Sequence, residues 1–225
     1  MRNVPDSAAS RIAGPRTAAV FVHGLWLNGA EFALMGRRLA TRHGFVGHRF
    51  SYPSVGAPME AIVERLARFV ERIDADRVHF VAHSLGGLVL CRYFEQTRAI
   101  PEGRAVLLGS PTLGSETAKR VAGLRLLAPL LGRAVADELV NPARPRAWNA
   151  ARELGCIAGT RPMGLGRLFS RFAEPSDGTV AVRETKLPGH SAHLTLPVSH
   201  SGMLLSTRVA DEVGEFLSRG RFGGG

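Results

Sequence analysis

Residues 78–87 have the sequence VHFVAHSLGG, in which a short apolar run leads into a serine and then two glycines. The apolar run predicts a buried strand, and the residues after Ser84 predict a helix that continues to about Gln96. With the strand ending and the helix starting at Ser84, the chain must turn sharply, and the two backbones come almost into contact. Only small residues two positions before and after the serine fit into such a turn. Ala82 and Gly86 occupy those positions. The pattern therefore predicts a strained serine with its hydroxyl exposed above the sheet.

Further apolar runs predict the remaining strands, at residues 17–22, 45–52, 105–108, 155–159 and 193–198. Helical spacing of apolar residues separates several of them, at residues 31–42, 59–73 and 208–218. Short continuous apolar strands that alternate with helices are typical of a parallel sheet covered on both faces. The sequence thus predicts the α/β class, with about six strands.

The serine turn resembles the nucleophile elbow of the α/β-hydrolase family, and His83 and Gly87 complete the motif around Ser84. The first glycine of the family pattern is Ala82 here, and alanine also occurs there in small lipases. The similarity to small lipases and carboxylesterases extends from about Thr17 to Arg219. It implies an α/β-hydrolase fold with Ser84 as nucleophile. A plain strand-to-helix turn with a capping serine is the alternative.

The resemblance also implies a histidine base and an acid that follow the serine in the chain order Ser, Asp, His. Three histidines satisfy this order, namely His190, His193 and His200. His200 follows the last predicted strand at the carboxyl edge of the sheet, whereas His193 would begin that strand at the opposite edge. We therefore predict His200 as the base that takes the serine proton.

The predicted acid is Asp177, which lies in an Asp-Gly turn that resembles the acid loop of small lipases. Asp137 is the other aspartate between the serine and His200, but it falls in a predicted helical insertion. Glu174 and Glu116 are alternatives. An Asp-Gly pair is also common in turns without any catalytic role.

The His23-Gly24 pair after the first predicted strand resembles the family's oxyanion motif. Gly24 lets the chain turn there, and the backbone N–H of Leu25 would pair with that of Leu85. Together these groups would hold the negative oxygen that develops when the serine attacks a carbonyl.

These features predict a serine hydrolase that cleaves carboxylic esters through an acyl-enzyme, with a small-molecule ester or acyl substrate. A thioesterase, an amidase or an acyltransferase would share every motif, and a non-catalytic binding protein on this fold is a further alternative. We expect no cofactor, because no Gly-rich phosphate loop appears. No metal is expected either: the sequence has no Cys-x-x-Cys pair, and His190 and His193 lack further nearby ligands.

The chain has 225 residues and a net charge of +10, with 29 Lys and Arg against 19 Asp and Glu. The basic residues are dispersed among acidic ones, so we expect no nucleic-acid partner. Contact with anionic membranes stays open, and nothing indicates an oligomeric state. Without a leader peptide or an apolar run of 18 residues, the expected location is the cytoplasm.

The expected organisation is a loose arm over residues 1–16, one domain over 17–219 and a Gly-rich tail over 220–225. Within the domain, residues 115–150 interrupt the alternation of strands and helices with an apolar helical stretch and a Pro-containing segment. They predict either a small helical cap over the site or ordinary helices that cover the sheet.

Overall fold

The apolar runs form one parallel sheet in a computed structural model of the chain, which describes residues 16–97, 101–123, 132, 134, 138, 146–163 and 174–224. Six strands are present in these ranges: β1 (Thr17–Val22), β2 (Val46–Phe50), β3 (Arg77–His83), β4 (Ala105–Leu108), β5 (Leu154–Gly159) and β6 (Ala192–Leu196). They lie in the order β2-β1-β3-β4-β5-β6, and each neighbouring pair is parallel. The predicted α/β-hydrolase fold is confirmed, with a sheet that is parallel throughout.

The helices of the described residues are α1 (Ala33–His43), α2 (Met59–Val70), α3 (Leu85–Gln96), α4 (Glu116–Gly123), α5 (Gly202–Leu205) and α6 (Thr207–Arg219). Two 3-10 turns, Ala30–Phe32 and Val182–Thr185, are also present. The helix predicted over 59–73 ends at Val70, since the chain turns there toward β3. None of the described helices combines the length and the apolar character needed to cross a membrane.

Side chains that alternate along the strands build a separate core on each face of the sheet. Val20 points into a core shared with α2 and α3, whereas its neighbour Phe21 points into a core shared with α1 and α6. Helix α2 packs on α3, and α1 packs on α6. The prediction of helices on both faces is thereby confirmed, and it explains why the strands are apolar without polar alternation.

Both ends of the described chain are held by hydrogen bonds or packing. The carbonyl of Arg16 accepts the backbone N–H groups of Asp76 and Arg77. At the other end, the ring of Phe222 lies 4.9 Å from that of Phe216, between centroids. The predicted arm lies outside the described residues up to residue 15, and of the predicted tail residues 220–224 are described.

Most of the predicted cap, residues 115–150, lies outside the described ranges after α4. Within it, the buried carboxylate of Glu138 accepts a 2.8 Å hydrogen bond from Arg92 Nε on α3 and also pairs with Arg146. Arg146 in turn donates to the carbonyl of Thr112. These contacts connect the segment to α3 and to the loop after β4, while its role as a cap stays a prediction.

A buried histidine on β3 makes the stability of the fold sensitive to acid. The Nδ1 atom of His79 accepts a hydrogen bond from the backbone N–H of Arg104 at 2.9 Å. Burial, followed by nearby arginines that include Arg104, lowers the pKa of His79 from 6.5 to about 4. The unfolded chain therefore binds a proton on this residue at a higher pH than the folded chain does.

We predict that lowering the pH from about 6.5 to about 4 reduces the free energy of unfolding by about 3 kcal/mol through His79 alone. The His79→Asn variant keeps an acceptor for the Arg104 N–H but removes the titration, so its stability should fall less steeply in that window. Urea unfolding at a series of pH values measures both slopes, and identical slopes would contradict the prediction.

Candidate active site

The turn between β3 and α3 has the strained geometry that the sequence predicts. Ser84 has φ 53° and ψ −120°, in a region that non-glycine residues rarely occupy. A Cβ atom on Gly86 would lie 2.3 Å from the carbonyl oxygen of Val22 and 2.6 Å from that of His23. The start of α3 is therefore wedged against the end of β1, and glycine is required at position 86.

The imidazole of His200 lies between the serine hydroxyl and a carboxylate. His200 Nε2 is 3.0 Å from Ser84 Oγ, and His200 Nδ1 is 2.7 Å from Asp177 Oδ2. Because the carboxylate accepts, Nδ1 carries the proton and Nε2 presents a lone pair to the serine hydroxyl. The structure thus brings Ser84, His200 and Asp177 together in one hydrogen-bonded chain.

Asp177 is held in place through every oxygen it has. Its side chain is 1% exposed, and Oδ1 accepts the backbone N–H groups of Thr179 at 2.9 Å and Val180 at 2.8 Å. Its carbonyl accepts the N–H of His200 at 3.1 Å. The acid is buried but fully hydrogen-bonded, which fixes the carboxylate on the imidazole.

The other candidate acids and bases among the described residues make different contacts. Glu174 pairs with Arg183, and Glu116 lies beside Lys119. His193 Nε2 contacts the hydroxyl of Thr185, while His190 Nδ1 donates to the carbonyl of Leu187. Asp137 is outside the described residues.

The loop after β1 passes directly beside the serine. A Cβ atom on Gly24 would lie 3.1 Å from that of Ser84. Leu25 follows at once, and Leu85 is the first residue of α3. The two peptides predicted to form an oxyanion hole therefore belong to segments that flank the serine.

His23 anchors that loop through an interaction with Tyr52, which the sequence did not indicate. The backbone N–H of Tyr52 donates to His23 Nε2 at 3.1 Å, and the Tyr52 hydroxyl donates to the His23 carbonyl at 2.7 Å. Since Nε2 accepts, His23 Nδ1 donates to the carbonyl of Gly24 at 2.8 Å. Burial lowers the pKa of His23, which favours this neutral ring.

Glu184 is a second residue that the sequence did not indicate. Its buried carboxylate accepts the backbone N–H of Ala181 at 2.9 Å, beside the Asp177 loop, and that of Glu116 at 2.8 Å. Its carbonyl accepts the N–H of Leu113. Burial raises the pKa of Glu184. A glutamate close to Arg183 resembles an exposed residue in sequence, so no local signal marks it.

A Ser-His-Asp chain at the carboxyl edge of a parallel sheet, with the serine in a strained turn, defines a protein of the α/β-hydrolase class. The sequence model of the alpha/beta hydrolase family matches residues 19–213, so the chain belongs to this family. A search of curated protein sequences found no significant match.

Solved structures of esterases and lipases share the fold. A lipase of Bacillus licheniformis, BlEst2, is 18% identical with a TM-score of 0.65, over 85% of this chain and 88% of that one. The metagenomic carboxyl esterase MGS0156 is also 18% identical with a TM-score of 0.57, over 84% and 65% of the two chains. Phospholipase PlaB of Legionella pneumophila is 15% identical with a TM-score of 0.64; the match covers 83% of this chain and 52% of PlaB. At these identities the likeness is one of fold.

We predict that Gly86→Ala lowers the free energy of unfolding by about 3 kcal/mol or more, because its methyl group would collide with two backbone carbonyls. Gly36→Ala is the matched control. Gly36 also lies in a helix, α1, and a Cβ atom there would lie 3.4 Å from the Phe21 ring, an ordinary contact distance. That change should be neutral or stabilise by about 0.5–1 kcal/mol. Similar losses for both variants in urea unfolding would contradict the close contact.

We also predict that Glu184→Gln destabilises the protein by about 1–3 kcal/mol, because an amide has one acceptor oxygen for two buried N–H groups. The control is Glu64→Gln, which changes an exposed residue paired with Arg68 and should shift stability by less than about 0.5 kcal/mol. Thermal and urea unfolding measure both changes. Equal effects would show that the buried carboxylate contributes nothing specific.

Proposed function

We propose that this protein is a serine hydrolase that cleaves carboxylic esters through an acyl-enzyme intermediate. One observation carries the proposal: the hydroxyl of Ser84, the imidazole of His200 and the carboxylate of Asp177 are joined by hydrogen bonds of 3.0 and 2.7 Å. A serine hydroxyl is a weak nucleophile unless a base is positioned to take its proton, and this arrangement supplies one.

In the proposed mechanism each of the three side chains has its own role. Ser84 Oγ attacks the ester carbonyl while His200 Nε2 takes its proton. Asp177 holds the imidazole in the required tautomer and stabilises the imidazolium that forms. His200 then gives the proton to the leaving alkoxide, and the acyl group stays on Ser84. A water molecule, activated by the same imidazole, attacks the acyl-enzyme, releases the acid and regenerates the serine.

The negative oxygen of each tetrahedral intermediate is assigned to the backbone N–H groups of Leu25 and Leu85. Support comes from the proximity of Gly24 to the Ser84 side chain and from the position of Leu85 at the start of α3. The hydrogen bonds between His23 and Tyr52 fix the loop after β1, which contains Leu25. A preformed donor pair costs no reorganisation when the charge develops, which is how such sites accelerate acyl transfer.

An acyl or lipid-like ester is the proposed substrate class. Exposed apolar side chains follow two of the strands that lead to the site, with Trp26 after β1 and Leu113 after β4. Exposed apolar side chains after these strands favour substrates with an apolar acyl part. The structural neighbours are named as a lipase, a carboxyl esterase and a phospholipase. All three names denote enzymes that hydrolyse esters.

We predict that Ser84→Ala lowers kcat for p-nitrophenyl acyl esters by at least about 10⁴-fold, because the nucleophile is lost. Asp177→Asn should lower kcat by about 10³–10⁴-fold, since it favours the wrong imidazole tautomer. Steady-state kinetics across an acyl-length series measures both effects, with circular dichroism to verify folding. Retained turnover in folded Ser84→Ala would refute the proposal.

Two further assays of the wild-type protein distinguish the competing functions. A fluorophosphonate probe with peptide mapping should label Ser84, and absence of labelling would favour a non-catalytic binding protein. Esters, thioesters and amides with a common acyl group, each assayed with and without an alcohol acceptor, distinguish an esterase from a thioesterase, an amidase or an acyltransferase. We expect the highest kcat/KM for esters with water as acceptor.

A further inference from the structure

The residue before the proposed nucleophile makes a direct hydrogen bond to the backbone of the proposed base. His83 Nε2 is 3.1 Å from the carbonyl oxygen of His200, and the His83 ring is 2% exposed. A carbonyl oxygen can only accept, so Nε2 carries the proton and donates. The two imidazoles lie close together, with centroids 4.7 Å apart.

The backbone of His200 is hydrogen-bonded at both its N–H and its carbonyl. Its N–H donates to the carbonyl of Asp177 at 3.1 Å, and its carbonyl accepts from His83 Nε2. One of these partners is the acid that the imidazole must meet, and the other adjoins Ser84, the hydroxyl it must meet. The backbone of His200 is thus held in position relative to both Asp177 and the turn that contains Ser84.

The His83 ring is suited to this role because it stays neutral. Its Nδ1 atom is buried and has no hydrogen-bond partner among the residues that the structure describes. Burial, and then the neighbouring His200, hold the pKa of His83 well below its ordinary value. A second positive charge at this distance would oppose the imidazolium that forms on His200 during catalysis. A neutral N–H donor positions the base without that cost.

We propose that His83 is a positioning residue, whose Nε2–H fixes the His200 peptide so that the imidazole keeps its alignment on Ser84. This inference rests on the proposed function, in which His200 is the base. The competing explanation is that His83 only fills space below the turn. That explanation makes the shape of the side chain important and the N–H donor irrelevant.

Two unbranched substitutions of similar size separate these explanations. His83→Gln places an amide N–H near the position of Nε2, whereas His83→Met fills the same space without a donor. We expect His83→Met to lower kcat by about 10- to 100-fold with KM within about twofold, because a small misalignment of a catalytic group has an effect of that size. His83→Gln should restore kcat to within about threefold of the wild-type value.

A readout without turnover makes the test independent of the proposed function. The downfield proton NMR signal of His200 Nδ1–H, which is bonded to Asp177, reports how firmly the ring is held. Its exchange with water should be faster in His83→Met and return toward the wild-type rate in His83→Gln. If the wild-type protein neither turns over esters nor labels at Ser84, the proposed function fails, and the exchange rates still decide the role of His83.

Equal kcat values and equal exchange rates for His83→Gln and His83→Met would overturn the inference, whether both variants are active or both impaired. If His83→Met does not fold, His83→Asn takes its place, because an amide one methylene shorter cannot reach the His200 carbonyl. The contrast between His83→Asn and His83→Gln then decides the question by the same two measurements.

Discussion

The contact between the start of α3 and the end of β1 is the constraint on which the site depends. Gly86 lies so close to the carbonyl oxygens of Val22 and His23 that no side chain fits there. This contact sharpens the turn and holds Ser84 in its strained conformation, with φ 53°. It also brings the loop that contains Gly24 beside the serine. One backbone contact therefore joins the proposed nucleophile to the proposed oxyanion loop.

The remaining site groups reach this turn because parallel strands end at the same edge of the sheet. Asp177 follows β5 and His200 follows β6, and each is held mainly by backbone hydrogen bonds. Bonds from rigid backbone position a side chain more firmly than bonds from mobile side chains do, and they satisfy buried polar groups at the same time. The site is consequently built from loops whose ends the sheet has already fixed.

Much of this arrangement could be predicted because the signals are local. The apolar run before Ser84, the small residues around it and the late position of His200 are consecutive or ordered features of the chain. The resemblance of its Asp-Gly turn to the acid loop of small lipases favours Asp177 over the other acids, and the structure brings its carboxylate to the His200 ring. Such features follow from backbone sterics and from strand order, which a sequence pattern records directly.

The interactions that could not be predicted are all long-range. Tyr52 binds His23 across 29 positions, His83 binds the carbonyl of His200 across 117, and Glu184 binds the N–H of Glu116 across 68. Each involves a backbone group of a distant segment, which every residue possesses and which no pattern marks. A histidine or glutamate in the sequence does not reveal whether it will be buried.

The amino-acid pattern alone is enough to specify the class of fold, the strand-to-helix turn at Ser84 and the order of the polar residues that follow it. These depend on apolar periodicity and on the space that small residues leave, both of which act between near neighbours. The buried groups that hold the acid, the base and the loop after β1 become apparent in the packed fold and not before. Those choices depend on which backbone atoms meet when the sheet and its two helical layers come together, because a buried polar group takes whichever partner is within reach.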